Sequence, residues 1–469
     1  MSRTRRALTL TVFVGLLGVG SLTAICSRSA APEVTDPTIV VRGAEGERPD
    51  PPAGASNLVL VVGCTVRKDQ LSVYGARAPT TPFLSSLAKD GARFLDVINA
   101  APWTRAASAA LLTGHHAVSV GMVEPTLGRN ERALPERVVT LAEHLRSRGW
   151  ATGGMTTNPN LNSVYGFAQG YDAYRQPERV WAEDRTRMSG ERAVPMALEV
   201  LDGLDPQRPF FLLVVLTDSH APFAITETER ALFADPAVPD NVVEYRGVLR
   251  RVDQAVAALD AGLALRGFDA HNTVLAVVND HGEGLSWPTH HGKGHGRFLA
   301  PSVVGGVFVA RGPQIASGHD IGGLVSQIDV APTLAAVVGA GPFAGPGSDW
   351  SAQLRGDAGT TDRSRAYSDT WFRESDRAAV YTASAACQVD SARRGTRRET
   401  EFVTGCFDRQ ADPLHEHVVV RPALAAELTA WRAARLVEAV QFGDAPRVTP
   451  GEALDAQLQA LGYTDGGAP

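Results

Sequence analysis

The chain carries no excess of positive charge. Its 45 Lys and Arg stand against 51 Asp and Glu, a formal net charge of −6 over 469 residues, so nothing argues for a nucleic-acid partner. No internal repeat recurs, and the only low-complexity stretch is a Pro-, Ala- and Gly-rich segment near the N-terminus. Cysteine is scarce, with four in the whole chain. Cys26 falls in the N-terminal apolar region. Cys387 and Cys406 flank an expected hairpin and could pair in an oxidising compartment, although spacing alone does not decide it. Cys64 stands apart from these.

What remains is ordinary globular composition, 44% hydrophobic and 20% charged, in a chain long enough to bury a large core. The length suits one large domain with an added subdomain, or two domains. The first 31 residues read as an export signal or membrane anchor: Arg3, Arg5 and Arg6 precede an apolar run from Ala7 to Ile25, and small residues follow. Leu22-Thr23-Ala24-Ile25-Cys26 is similar to a lipoprotein box, with a bulky Ile25 before the cysteine, and Arg5-Arg6 is similar to a twin-arginine signal. The expectation is an exported, extracytoplasmic protein, either periplasmic or held at the membrane by its N-terminus. Residues 32–56 lack an apolar period and read as a linker.

Three continuous apolar runs then mark strands covered on both faces: Asn57–Val62, Phe210–Leu216 and Thr273–Val278. Phe94–Ile98, Trp150–Thr157 and Val303–Val309 add further strands. Helices fall between them. Thr81-Pro82 reads as an N-cap and first helical residue. Thr140 to Glu143 forms a capping box with Gly149 closing the helix. Val248, Val252, Val256, Leu259 and Leu263 line one face of a long helix, and Asp329–Val338 reads as another. This alternation predicts an α/β fold with a central, mostly parallel mixed sheet flanked by helices. The catalytic domain is expected over 57–341. A smaller C-terminal α+β subdomain is expected over 342–440, with strands at Ala379–Thr382 and Glu401–Phe407 joined by a basic turn and a helix at Pro422–Ala439. Residues 441–469 read as a tail.

In such folds ligands bind beyond the carboxyl ends of the strands. Cys64, His220 and Asp280-His281 all fall at such ends. Ala101–Gly114 (APWTRAASAALLTG) delivers Thr104 at the start of an Ala- and Leu-rich helix, where unpaired N–H groups favour an alkoxide or an anion. Taken alone, Thr104 reads as well as a simple N-cap, and Asp280-His281-Gly282 as a solvated loop. Together they place an alcohol near a carboxylate–imidazole pair able to hold one divalent ion. Such an ion would lower the hydroxyl pKa and polarise a phosphoryl or sulfuryl oxygen. His290, His291, Lys293 and His295 in THHGKGHG could supply a leaving-group acid and anion contacts.

With these segments in view, the chain resembles the sulfatase family of the alkaline phosphatase superfamily from about residue 57 to 435. The matching segments include NLVLVVGCTVRKDQLSVYG, APTTPFLSSLAKDGARF, APWTRAASAALLTG, GFAQGYDAY, TDSHAPF, NDHGE, VSQIDVAPTL and LRGD. The resemblance implies a mixed sheet flanked by helices, one divalent metal and hydrolysis of sulfate or related esters. It places Thr104 at the nucleophile position, Asp280 and His281 on the metal, and His220, His291 and His295 on substrate.

Three departures bear on chemistry. Cys64 stands where the family usually has a metal-binding aspartate. A thiolate there favours zinc over calcium, magnesium or manganese, or the metal is weakened. Thr104 stands where sulfatases carry the cysteine or serine that becomes formylglycine, so that cofactor is ruled out at this position. The motif arginine is replaced by Ser108, and Arg105, three residues earlier on the helix, is the candidate to reach the same anion.

A threonine ester cannot be released by elimination as a formylglycine ester is, so water must attack the central atom. That is ordinary chemistry at phosphorus and slower at sulfur, which adds weight to phosphate and phosphonate esters. The expected function is a metal-dependent hydrolase or transferase of sulfate or phosphate esters, acting on a small-molecule, glycan or lipid ester. The competing expectation is a weak or inactive relative that binds an anionic glycan or envelope component. Cys64, Ser108 and Arg246, which stands where an acidic residue is expected, favour it.

Overall fold

The computed structural model describes residues 38–42, 48–122, 132–177, 190–288, 292–359, 363–372, 375–390, 405–443, 445–461 and 463. The expected N-terminal signal (1–31) and both His290 and His291 lie outside them. No described helix is long and apolar enough to cross a membrane.

Sixteen described strands are numbered here in chain order: β1 (Thr38–Arg42), β2 (Asn57–Gly63), β3 (Ala92–Ile98), β4 (Ala151–Thr156), β5 (Ala173–Pro177), β6 (Phe210–Leu216), β7 (Thr273–Asn279), β8 (Gly284–Leu285), β9 (Lys293–Gly294), β10 (Gly305–Gly306), β11 (Phe308–Arg311), β12 (His319–Ser326), β13 (Ala366–Phe372), β14 (Ser375–Tyr381), β15 (Ala385–Asp390) and β16 (Gly405–Asp408). The central sheet runs β1-β5-β4-β6-β2-β7-β11-β3-β10, with β12 also on β3. Strands β5, β4, β6, β2 and β7 are parallel neighbours; β11 turns antiparallel against β7 and β3.

Alternation along β2 explains why this strand is central. Val59 and Val61 face one core with Val248, Val252 and Leu259 of the helix Asp240–Ala264. Leu58, Leu60 and Val62 face the other, with Trp103 and with Ala106, Leu111 and Leu112 of the helix Thr104–Thr113. A period of two thus buries every residue of a continuous apolar run, as expected of a sheet covered on both faces. A second sheet, β13-β14-β15-β16, is antiparallel and carries the helix Pro422–Ala439. Cys387 and Cys406 sit directly opposite each other on β15 and β16 and are disulfide-bonded.

Five details depart from expectation. Thr38–Arg42, within the segment read as a linker, adds an edge strand antiparallel to β5. Thr81 sits at the N-cap without capping; the buried Asp253 carboxylate takes that role from the neighbouring helix Asp240–Ala264 on the same face of the sheet, accepting from the amides of Phe83 and Leu84 at 3.0 and 2.9 Å. The expected strand Val303–Val309 is split, because Pro301 starts a short helix through Val304 before β10 and β11 begin. The expected pair of C-terminal strands has β15 between them, and the basic segment 391–404 lies outside the described residues. The expected tail holds a helix, Glu452–Ala460, packed on the 3-10 turn Pro159–Leu161.

Candidate active site at the carboxyl edge of the sheet

Strands β2, β6 and β7 end level with one another, Gly63 pairing with both Leu216 and Asn279. Their following loops therefore meet. The amide of Cys64 donates to Leu216 O at 2.8 Å, and the Ser219 hydroxyl donates to Cys64 O at 2.5 Å. Thr65 is held at a φ of 57°, a region L-residues seldom adopt, and its amide donates to Asp280 Oδ1 at 2.9 Å. Gly282 is required by packing: a Cβ there would lie 2.0 Å from Ser302 O.

Thr104 is the first residue of its helix, and Trp103 occupies the cap position. The simple N-cap reading of Thr104 therefore fails. Its hydroxyl is wholly buried and points across to the β7 loop, with Oγ1 3.3 Å from His281 Nε2. The Asn158 side-chain amide, at the end of β4, donates to Thr104 Oγ1 at 3.5 Å and to Cys64 Sγ at 3.4 Å. The Tyr463 hydroxyl lies 3.0 Å from Thr104 Oγ1.

His281 Nδ1 donates to Gly282 O at 2.8 Å, which leaves Nε2 as the lone-pair edge facing Thr104. Burial holds its pKa below the usual value and outweighs the neighbouring Asp280 charge, so the ring is neutral. His295 behaves oppositely. Burial works against its proton, but the Glu283 carboxylate, at 3.2 Å from Nδ1, and Asp280 overcome this and raise its pKa. His295 Nε2 lies 3.2 Å from the Tyr463 hydroxyl. The His220 ring stands 5.1 Å from that of His295, and His220 Nδ1 bonds to Ala221 O at 2.8 Å.

Asp280 Oδ2 is buried without a hydrogen-bond partner and lies 3.4 Å from His281 Nε2. That separation matches the edge of about 3.3 Å between tetrahedral ligands of a zinc-sized ion. Among the described residues no three His, Cys, Asp or Glu side chains meet in a metal-binding cluster. An ion held by Asp280 and His281 would thus take the Thr104 hydroxyl, 3.3 Å from His281 Nε2, as its next neighbour, with Cys64 not already gathered with the pair as a third ligand. Burial first, then the Asp280 charge, pushes the Cys64 thiol well above its usual pKa; a bound cation would reverse that balance. The residues fit such an ion as a carboxylate–imidazole pair with sulfur and hydroxyl beside it.

Two expected contacts run elsewhere. Arg105 Nη2 donates to Asn160 Oδ1 at 3.1 Å, and its guanidinium lies 3.5 Å over the Tyr165 ring. Lys293 is exposed on the β8–β9 hairpin opposite Leu285. His291 is outside the described residues. Sequence reasoning missed Asn158, Glu283, Gln327 and Tyr463 as site residues. Asn158 follows a parallel strand, as Cys64 and His220 do, and the strand-end rule would have found it. Tyr463 carries no such signal.

A model of the sulfatase family, described simply as Sulfatase, matches residues 56–340, more than half of the chain. The chain belongs to the sulfatase family. Bovine arylsulfatase A is 29% identical over 339 residues, covering 61% of this chain and 65% of that protein. Human arylsulfatase A is 39% identical over 98 residues, covering 21% of this chain and 19% of that protein. The chain thus spans less than two thirds of the length of the curated relatives it matches. The phosphonate monoester hydrolase of Agrobacterium radiobacter superposes with a TM-score of 0.64 at 18% identity, over 82% of this chain and 96% of that one. A Bacteroides thetaiotaomicron protein from work on the metabolism of multiple glycosaminoglycans gives 0.65 at 17% identity, over 82% and 96%. Both share the fold: a mixed sheet between helices with a small antiparallel C-terminal sheet.

Proposed function

We propose that this sulfatase-family chain is a metal-dependent hydrolase or transferase of sulfate or phosphate esters in which Thr104 is the nucleophile. The observation that carries this is the meeting of Thr104 Oγ1 with His281 Nε2 at 3.3 Å, beside Asp280, across 177 residues of sequence. An alcohol used only as a cap has no need of an imidazole lone pair. Asp280 and His281 would hold the metal, with Cys64 favouring zinc over manganese, calcium or magnesium. Bound there, the ion supplies Lewis-acid stabilisation of the anion and a lower hydroxyl pKa.

The chain's own residues do the rest. The helix N-terminus stabilises negative charge at Thr104. The Asn158 amide fixes the Thr104 oxygen, and His295, whose protonated form Glu283 favours, donates to the leaving oxygen, with His220 beside it. Release of the Thr104 ester requires water attack at phosphorus or sulfur, which favours phosphate or phosphonate esters over sulfate. The substrate is a small-molecule, glycan or lipid ester. The basic start, the apolar run after it and the Cys387–Cys406 disulfide support an exported protein, periplasmic or attached to the membrane through its N-terminus.

The deciding experiment is Thr104→Ala, assayed on a panel of aryl sulfate, phosphate mono- and diester and phosphonate ester. Turnover disappears while the melting temperature holds. Unchanged turnover rejects the nucleophile, and a strong preference for aryl sulfate rejects the phosphorus assignment. Buried contact between Tyr463 and Thr104 favours a second reading, a weak or inactive relative that binds an anionic envelope component. No turnover and no bound metal under any condition would select it.

A further inference from the structure

The Tyr463 hydroxyl lies 3.0 Å from Thr104 Oγ1 and 3.2 Å from His295 Nε2, so one side chain touches both the proposed nucleophile and the proposed acid. Its position is built. The amide of Tyr463 returns to Leu458 O at 2.9 Å, the long closing bond of a helix end, and the sequence places Gly462 just before it. Leu458 and Leu461 are buried in the same core as Trp103. The Tyr463 ring stands edge-on to Phe372 at 5.9 Å.

An ester under attack must bring its central atom to about 3–3.5 Å from Oγ1. Thr104 has no exposed surface, and its oxygen is bounded by His281, Asn158 and Tyr463. His281 and Asn158 sit on loops tied to the sheet. Tyr463 lies three residues beyond the nine-residue helix Glu452–Ala460, outside the sheet, and can withdraw without breaking a strand. Its phenol oxygen stands 3.0 Å from Thr104 Oγ1 and 3.2 Å from His295 Nε2, in the space that the central group of an ester under attack would need.

We infer that Tyr463 is the specificity-determining residue of this site: its hydroxyl occupies the place between Thr104 and His295 that an ester's central group would take, and the site admits only ligands that displace it. This rests on the reading of Thr104 as nucleophile. Closure lowers apparent affinity by the fraction of molecules that are open.

The test compares the full-length protein with Tyr463→Phe and Tyr463→Ala, using orthovanadate binding measured by calorimetry. Tyr463→Ala binds at least about tenfold more tightly than the parent, with Tyr463→Phe between them, since it keeps the ring and loses both polar contacts. The kcat/KM for a phosphate or sulfate ester rises in the same order. Equal affinity across the three, or no binding by any, overturns the inference. So does unchanged affinity with lower kcat in both variants, which would make Tyr463 a participant in the chemistry. The two readings separate cleanly: turnover that survives Thr104→Ala refutes the nucleophile, whereas the vanadate series reads Tyr463 without turnover.

Discussion

Glu283 holds His295 by its Nδ1 edge, with Oε2 3.2 Å away, and so aims Nε2 into the space beside Thr104. Both side chains are nearly buried, so the carboxylate acts in a medium of low polarity, where its charge counts for more than in water. Glu283→Gln keeps the shape and removes the charge. His295 then loses the main force raising its pKa, and the protonated fraction near neutral pH falls. The expected result is a kcat/KM lower by roughly 10²-fold for esters of poor leaving groups, and little change for good ones. The basic limb of the pH–rate profile moves to lower pH. An unmoved limb would remove His295 from the acid's role.

Gln327 ties the two halves of the site together. Its side-chain oxygen accepts from the amide of Ala100 at 3.0 Å, just before the turn to Thr104, and its nitrogen donates to Asp280 O at 2.7 Å. Gln327→Leu leaves the buried Ala100 amide without its partner, at a cost of about 1–3 kcal/mol in stability. Metal affinity and kcat fall by roughly 10- to 100-fold, as when outer supports of a metal site are lost. Thermal melting with metal titration checks both. A loss of stability alone, with kcat and metal affinity intact, would reduce Gln327 to a structural link.

The sheet was legible because its signals are local. Alternation along Val59, Leu60, Val61 and Val62 names two buried faces without knowledge of the neighbours, and the strand ends then point to Cys64, His220 and Asp280. The partners that complete the site are distant. Tyr463 meets Thr104 across 359 residues, and Gln327 meets Ala100 across 227. Neither contact leaves a periodic trace. Arg105 shows the opposite hazard. Helical spacing suggested it for the anion, but Tyr165 and Asn160, on another segment, claim its guanidinium. Val303 and Val304 read as strand by apolar character alone, whereas Pro301 sets a helical turn through Val304.

Cys64 should decide which metal the chain takes. Its sulfur shares the Asn158 amide with Thr104, so a ligand change there reaches the nucleophile directly. Protein purified with mixed divalent ions is expected to retain zinc, and Cys64→Ala to lose it. Cys64→Asp supplies a hard oxygen donor and moves the preference toward magnesium, manganese or calcium. Elemental analysis of the three proteins reads this directly. Equal zinc content in the parent and Cys64→Ala would exclude the thiol as a ligand.

His116 makes the fold sensitive to acid. It is fully buried, its ring edge-on to the stacked Trp431 and Tyr367 rings, 5.0 and 6.3 Å away. Burial first, then the Arg363, Arg435 and His115 charges, lowers its pKa to about 3. The unfolded chain takes up the proton near pH 6.5 and the folded chain does not, so this residue's contribution is complete above pH 6.5. It is lost progressively as pH falls toward 3. At pH 5 the loss amounts to about 2 kcal/mol from this group. His116→Phe keeps a ring against Trp431 and cannot protonate. Its melting temperature should therefore fall less between pH 7.5 and pH 5 than that of the parent. Parallel curves for the two proteins would show that His116 takes up its proton equally in the folded and unfolded states.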